Sequence, residues 1–349
     1  MLVDIPRALF TPLPQIVRLI SHQEPRGGDR AEALERAFEH LWRTIPPSAK
    51  QPATRIDFAR PFLSLFYADD KGKQIRAGMP VWIANGTDLA TGSRLITVPF
   101  RPDGNWPFPA AVDALSALGA DVRISTAIND TARFSYLEPA GELLAYEPPN
   151  QEKLPTLDER RQPNGSAREI IDGGYFENEG LQTALDLANW LQQPGLLANR
   201  TVEPIIVQAT GDGEVLPIET VVRCEPRKDA PSAITTTRRP LQLLAPPLGL
   251  YNVRGGHSAV LLREARTEFC AEDKRQFNQC DVLPVRCLAP QPATQRFFHF
   301  YLPGDGDKAL PLNWILSDST ARFIWNDAMQ QGGNLREAWI MQQALKPSQ

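Results

Sequence analysis

Residues 169–180, EIIDGGYFENEG, are the stretch from which the fold of the chain is predicted. The apolar pair at 170–171 is typical of the buried end of a strand. Asp172-Gly173-Gly174 predicts a sharp turn after it, because glycine adopts backbone angles that side chains forbid. The residues that follow have the apolar spacing of a helix face: Leu181, Ala184, Leu185, Ala188 and Leu191. Strand, turn and helix in this order place Asp172 at the carboxyl end of a strand, where open α/β sheets bind ligands.

Asp172 has two interpretations at this point. A carboxylate fixed at a strand end near a pocket can accept a proton from a substrate or a nucleophile. Aspartate before glycine is also the common composition of a turn in which the side chain hydrogen-bonds its own backbone. The residues around the turn decide between a catalytic and a structural role.

Further motifs occur in a fixed order along the chain. They are Asn85-Gly86-Thr87-Asp88, Thr91-Gly92, Ser125-Thr126-Ala127, Ala132-Arg133-Phe134, Pro139-Ala140-Gly141, DGGYFEN at 172–178, Pro311-Leu312-Asn313-Trp314 and Leu316-Ser317. From about residue 29 to the C-terminal helix this series resembles bacterial patatin-like phospholipases, and DGGYFEN is its most specific part. The resemblance implies an α/β fold of three layers, with a central mixed sheet between helices. It also implies a Ser-Asp dyad whose aspartate is Asp172, with Gly173 and Gly174 forming the DGG turn.

The resemblance sets the expected domain organisation as well. Residues 1–349 would form a single partial patatin-like domain that lacks its N-terminal strands. It would comprise an irregular segment at 1–28, a core with the DGG motif at 29–200 and a C-terminal part at 201–349. The sequence contains no GxSxG nucleophile elbow and no glycine-rich oxyanion loop. In the related enzymes both precede the region that matches residue 29 onward, so the chain is expected to be a fragment, an alternative start or half of a split enzyme.

Arg133 and Asn129 are the candidate substrate-binding residues. In the related enzymes a helix in this region leads into a SARFP-like motif, which here reads TARFS at 131–135. Arg133 could contact an anionic lipid headgroup, or it could pair with a carboxylate that fixes the helix end. No cofactor is expected. Asp305-Gly306-Asp307 and the acidic turn at 211–214 lack the ladder of ligands of a calcium loop, so no metal is expected either.

Composition restricts the partners. The net charge of −4, from 41 acidic and 37 basic residues, gives no electrostatic footprint for nucleic acid. The expected partners are a phospholipid or another acyl-ester lipid and, for a split enzyme, a chain that carries the GxSxG half. No apolar run approaches the roughly 18 residues of a membrane span, and Asp4 and several prolines interrupt the N-terminal apolar stretch. These features predict no signal peptide, and a cytoplasmic or peripheral membrane location. A disulfide among Cys270, Cys280 and Cys287 would need an oxidising compartment, so separate buried thiols are favoured for the four cysteines.

The remaining elements are predicted from periodicity and turn residues. A helix capped by Asp29 is expected to bury an apolar face of Leu34, Ala37, Phe38, Leu41 and Trp42. Strands are expected at 62–66, 81–84, 94–100, 142–146, 204–209 and 294–302, with Asn85-Gly86 starting a hairpin connection. Helices are expected at 110–118, 254–277, 317–330 and 334–345.

A second class of function remains open: a non-catalytic protein that binds lipid or a partner through a patatin scaffold. His257-Ser258 is not favoured as a catalytic pair, because adjacent residues rarely place a base against the neighbouring hydroxyl. His22, His40 and His299 have no partner pattern and are expected to be structural.

Overall fold

Helices and strands alternate along the chain in a mixed α/β arrangement. The computed structural model describes residues 30–44, 57–68, 74–102, 106–133, 140–143, 168–196, 201–210, 257–258, 260–262, 264–265, 268–269, 295–301, 322 and 332–345. The chain divides into two compact units, residues 1–176 and 177–349. The division follows the DGG turn directly, whereas the predicted subdivision of the single domain fell at residue 200.

A five-stranded mixed sheet is the centre of the first unit. Its elements are α1 (Arg30–Thr44), β1 (Ala84–Asp88), β2 (Arg94–Thr97), β3 (Val112–Asp113), α2 (Ala114–Leu118), α3 (Ile124–Asp130), β4 (Gly141–Glu142) and β5 (Glu169–Asp172). The strand order is β3-β2-β1-β5-β4. β1 pairs antiparallel with both β2 and β5, β4 pairs antiparallel with β5, and β3 is parallel to β2. β5, which carries Asp172, is therefore an inner strand.

One apolar cluster holds this sheet to its helices. Its buried members are Phe62, Leu63, Phe66, Leu95, Ala114, Leu115, Val122, Ala127, Leu143 and Ile170. They come from β2, β5, the helices α2 and α3, the segment at 62–66 before β1, and the connections that hold Val122 and Leu143. Ile170 is fully buried, as predicted, whereas Ile171, which was predicted to be buried with it, is only partly buried. The cluster packs against β5 through Ile170, and burial of each of its large apolar side chains contributes about 1.5–3 kcal/mol.

Some local predictions in this unit are wrong. Residues Phe62–Leu65 form a 3₁₀ helix instead of a strand, because the backbone N–H groups of Ser64 and Phe66 donate to the carbonyls three residues earlier, at 3.1 and 3.0 Å. Asn85 and Gly86 lie inside β1, where they pair with Ile96 and Leu95. The predicted hairpin of β1 and β2 exists, but its turn lies after Asp88.

The turn of this hairpin is organised by Asp88. The carboxylate accepts hydrogen bonds from the backbone N–H and the hydroxyl of Thr91, at 2.9 and 2.8 Å. Arg168, just before β5, donates to its other oxygen at 2.7 Å. Burial raises the pKa of Asp88, but the bonds from Arg168 and Thr91 outweigh burial and hold that pKa below its ordinary value.

The second unit contains α4 (Leu181–Leu191), β6 (Ile206–Thr210), β7 (Phe297–Tyr301) and α5 (Gly332–Ala344). β6 and β7 form a parallel pair in which Ile206 faces Phe297. The described residues between 257 and 269 are helical, as predicted. The core of this unit consists of Leu181, Leu185, Ala188, Ile206, Leu261, Ala265, Phe269 and Phe297. The predicted helix at 181–191 is confirmed. Gly180, immediately before its first residue, has a φ of 69°.

The strand at 204–209 is only partly as expected. Burial alternates along β6, so Ile206, Gln208 and Thr210 face inward while Val207 is exposed. Of the other predictions, the strand at 294–302 and the helix at 334–345 are confirmed by β7 and α5. The helix at 317–330 and all four cysteines lie outside the described residues, apart from residue 322, which is helical. Within the described part, no helix has the length and apolar character needed to cross a membrane.

Candidate functional site

Asp172 is the last residue of β5, with its carboxylate half-buried. It pairs with Gly86 of β1, and its backbone N–H donates to the carbonyl of Arg133 at 3.0 Å. Its Oδ1 accepts the N–H of Gly174 at 2.6 Å, so the side chain caps the 3₁₀ helix Gly173–Tyr175. The strand end and the turn are therefore as predicted; the backbone of Asp172 is held by Arg133, and its carboxylate is held by Gly174.

The glycine of the DGG turn is required for a reason other than the expected one. Neither Gly173 nor Gly174 has a positive φ. A Cβ added at Gly173 would lie 2.3 Å from the carbonyl oxygen of Asn85 in β1. Glycine thus allows the backbone of the turn to approach the neighbouring strand closely, and any side chain at 173 would push Asp172 away from β1.

Arg133 and Asn129, the candidate substrate-binding residues, are both buried. The guanidinium of Arg133 donates to Asp130 at 2.9 Å and to Glu35 at 3.2 Å. The side-chain amide of Asn129 also donates to Glu35, at 3.2 Å. The alternative in which Arg133 pairs with a carboxylate at the helix end is therefore the one observed. Both side chains contact protein groups inside the first unit.

The carboxylates around Arg133 have unusual electrostatics. Burial raises the pKa of Asp130 to about 7, against the attraction of Arg133, and the charge of Glu35 adds to the rise. Burial also raises the pKa of Glu35, although hydrogen bonds from Thr126 and Asn129 and the charge of Arg133 oppose it. Two buried carboxylates thus share one guanidinium. Within the described part of the chain, Oδ2 of Asp130 is buried and accepts no hydrogen bond.

Sequence reasoning missed the role of α1 in this cluster. Its buried face carries Glu35 and Glu39, whereas Leu41, expected in the apolar face, is 57% exposed. Glu35 accepts the hydroxyl of Thr126 at 2.8 Å, and Glu39 accepts that of Ser125 at 2.7 Å. The signal was present in the sequence, because two glutamates four residues apart lie on one side of a helix. Apolar spacing alone could not show that their partner surface would be polar.

Three of the described serines use their hydroxyls in structural hydrogen bonds. The hydroxyl of Ser64 donates to the carbonyl of Pro61, and that of Ser116 donates to Asp113. Ser125 is fully buried against Glu39. Ser258 is buried and lies next to His257 in a helical segment. The two acidic turns at 211–214 and 305–307 lie outside the described residues, and the described ones contain no cluster suited to a metal ion.

A second polar cluster lies in the second unit, around the buried His299. Its Nε2 is 3.1 Å from the hydroxyl of Thr210, and its backbone N–H donates to Glu337 of α5 at 3.2 Å. Glu337 also accepts the side-chain amide of Gln295 at 3.3 Å. These contacts tie α5 to the β6–β7 pair, as expected for a structural histidine. His40, in contrast, is exposed on α1.

The comparisons with known proteins add no family assignment. No family model matches the sequence, and no curated protein or solved structure matches it.

Proposed function

We propose that the chain supplies the aspartate half of a patatin-like lipid acyl hydrolase, with Asp172 as the general base. The observation that carries the proposal is the fixed, half-buried carboxylate at the end of an inner strand. Such a group keeps one geometry through a reaction, which a catalytic proton acceptor requires. The mixed sheet with helices around it is compatible with the three-layer patatin fold, in which the first strands would come from another segment.

In this proposal Asp172 accepts the proton of a serine hydroxyl as the serine attacks an ester carbonyl. The proton then passes to the leaving alcohol, and water completes the hydrolysis. The bond from Gly174 holds Oδ1 of Asp172, so the carboxylate cannot rotate freely. The serine and the backbone donors that stabilise the oxyanion would come from a GxSxG segment outside residues 1–349. The substrate would be a phospholipid or a related acyl ester, and the location would be the cytoplasm or a membrane surface.

The first test uses the purified chain and a p-nitrophenyl ester. We expect little or no turnover and no labelling by a fluorophosphonate probe, because no GxSxG serine is present. The second step co-expresses the chain with the product of an upstream reading frame that encodes a glycine-rich loop and GxSxG. Turnover should then appear, and Asp172→Asn should lower kcat by about 10²–10⁴-fold, the usual contribution of a general base.

Asp113→Asn is the matched control. Asp113 also ends a strand and caps the next turn, because it accepts the N–H of Ser116 at 3.2 Å. Its substitution should lower stability while leaving turnover unchanged. Strong hydrolysis by the isolated chain that is lost in Asp172→Ala would instead mean that a serine of this chain is the nucleophile. Equal activity of the Asp172 and Asp113 variants of the assembled enzyme would exclude Asp172 as the base.

The second candidate is a non-catalytic protein that binds lipid or a partner on the same scaffold. The bond between Asp172 Oδ1 and Gly174 favours it, since capping a turn is a sufficient structural role for this aspartate. Under this candidate, upstream DNA would encode unrelated protein. The isolated chain would float with phosphatidylcholine vesicles or retain its partner, and Asp172→Asn would not change that binding.

A further inference from the structure

Asp172 is connected to helix α1 through one residue, Arg133. The carbonyl of Arg133 accepts the backbone N–H of Asp172 at 3.0 Å. The guanidinium of the same residue donates to Glu35 of α1 at 3.2 Å. Arg133 thus joins the first helix to the end of β5 through two hydrogen bonds. Its backbone carbonyl accepts one and its side chain donates the other.

The side chain of Arg133 is enclosed on three sides. Asp130 holds Nε from α3, Glu35 holds Nη2 from α1, and Gly141 of β4 lies against the guanidinium. A Cβ added at Gly141 would lie 1.9 Å from Nη1 of Arg133. With the side chain fixed in this way, the carbonyl that holds Asp172 has little freedom to move.

Helix α3 approaches β1 at the same point. A Cβ added at Gly86, the strand partner of Asp172, would lie 3.1 Å from the carbonyl of Asp130. The end of α3 therefore packs on the backbone beside Asp172. A displacement of this helix end would reach the carboxylate through two routes, the strand pair and the Arg133 carbonyl.

We propose that Arg133 is a positioning residue for Asp172 and that docking of α1 through Glu35 controls it. When α1 is docked, Glu35 completes the enclosure of Arg133, and the carbonyl of Arg133 sets the end of β5. When α1 is displaced, Arg133 retains only its ion pair with Asp130, and the end of β5 becomes less well held. The inference rests on the proposed function only for the catalytic role of Asp172, so α1 becomes a regulatory element of that site.

The chain offers a matched control in Glu39. It lies one helical turn after Glu35 on the same buried face. Glu39 is 6% exposed and Glu35 is 5% exposed. Glu39 accepts from Ser125 and lies 3.7 Å from Arg123, but its contacts do not include Arg133. Glu35→Ala and Glu39→Ala therefore remove the same group from the same interface, and only the first removes the contact to Arg133.

The test measures the backbone N–H of Asp172 by NMR in the full chain. Ile-Asp occurs only at 56–57 and 171–172, so carbonyl-¹³C isoleucine with ¹⁵N aspartate leaves two signals, Asp57 and Asp172. Asp57 reports on the docking of α1, because its carboxylate accepts from Arg43 of that helix at 2.9 Å. Gly-Gly occurs at 27–28, 173–174, 255–256 and 332–333, so labelling glycine in the same way isolates the signal of Gly174 among four.

Glu35→Ala should speed solvent exchange of the Asp172 N–H by about fivefold or more, the effect of weakening one hydrogen bond. It should also shift the amide signal of Gly174. Glu39→Ala should change the exchange by less than about twofold. Arg133→Met should act as Glu35→Ala does, and Arg133→Lys should restore part of the protection. If Arg133→Met does not fold, the two glutamate variants decide the result.

Equal solvent exchange of the Asp172 N–H in the wild type and in Glu35→Ala would overturn the inference. This holds whether or not the signal of Asp57, the reporter on α1 docking, changes. Equal acceleration by Glu35→Ala and Glu39→Ala would also overturn it. These readouts need no hydrolysis. Failure of the proposed function would appear as an assembled enzyme insensitive to Asp172→Asn, whatever the exchange of the Asp172 amide.

Discussion

At the scale of single residues, the cluster around Arg133 has a deficit of positive charge. Asp130 and Glu35 are buried together with one guanidinium, and each carboxylate has a raised pKa. Burial of ionised groups is costly, and removing one partner from such a pair typically costs 3–5 kcal/mol. A proton on Asp130 relieves the excess negative charge, so the cluster should respond to pH.

The expected response is a fall in stability as pH rises. In the unfolded chain Asp130 ionises near its ordinary value of about 3.9, while in the folded chain it keeps its proton until about pH 7. The free energy of unfolding should therefore decrease between about pH 4 and 7 and level off above that range. Urea unfolding at a series of pH values measures it. Asp130→Asn should flatten the slope in this window, and an unchanged slope would show that Asp130 is not its source.

At the scale of elements, α1 shows how the partner surface decides which face of a helix is buried. The side of α3 that meets it carries Ser125 and Thr126, and Arg133 follows soon after the helix end, so the glutamates of α1 face inward. The neighbouring Trp42 packs instead on Phe58, with ring centroids 4.5 Å apart. Leu41 is left in solvent.

The effect of a substitution on α1 should depend on whether the side chain is buried in the structure. It should not depend on the apolar spacing of the sequence. Leu41→Ser should change the free energy of unfolding by less than about 0.5 kcal/mol, because an exposed side chain has little to lose. Trp42→Ala should cost about 1–3 kcal/mol through the lost stacking and burial. Chemical denaturation of both variants checks the difference. Similar losses for the two would mean that Leu41 is buried in solution.

The strands and helices with strong local signals were predictable. The helix at 181–191 has clear helical periodicity, and the strand at 297–301 is rich in aromatic residues. β5 and its turn were predictable from residues 169–174. Asn85-Gly86 was misread, because a dipeptide that favours turns is held in β1 by pairing on both sides. The site was predictable only at Asp172. Its links to Glu35 and Arg133 depend on tertiary contacts between segments far apart in sequence.

At the scale of the whole molecule, the described residues form two apolar clusters, one in each compact unit. Ile170 belongs to the first and Phe297 to the second. The expectation of one domain over residues 1–349 remains a prediction that unfolding experiments can test.

Two core substitutions separate the possibilities. Ile170→Ala and Phe297→Ala should cost about 2–5 and 3–5 kcal/mol, because each leaves a cavity in a packed core. If the units unfold separately, calorimetry should show two transitions, and each variant should lower only one of them. A single transition lowered by both variants would show that the chain unfolds as one cooperative domain.

The parallel pairing of β6 with β7 has a consequence for how the second unit forms. Thr210 and His299, which meet across this pair, are 89 residues apart along the chain. A loop of that length must close before any hydrogen bond of the pair compensates its lost entropy. The pair is therefore expected to assemble late during folding, after the antiparallel hairpin of β1 and β2, and the second unit should limit the rate at which the native chain accumulates.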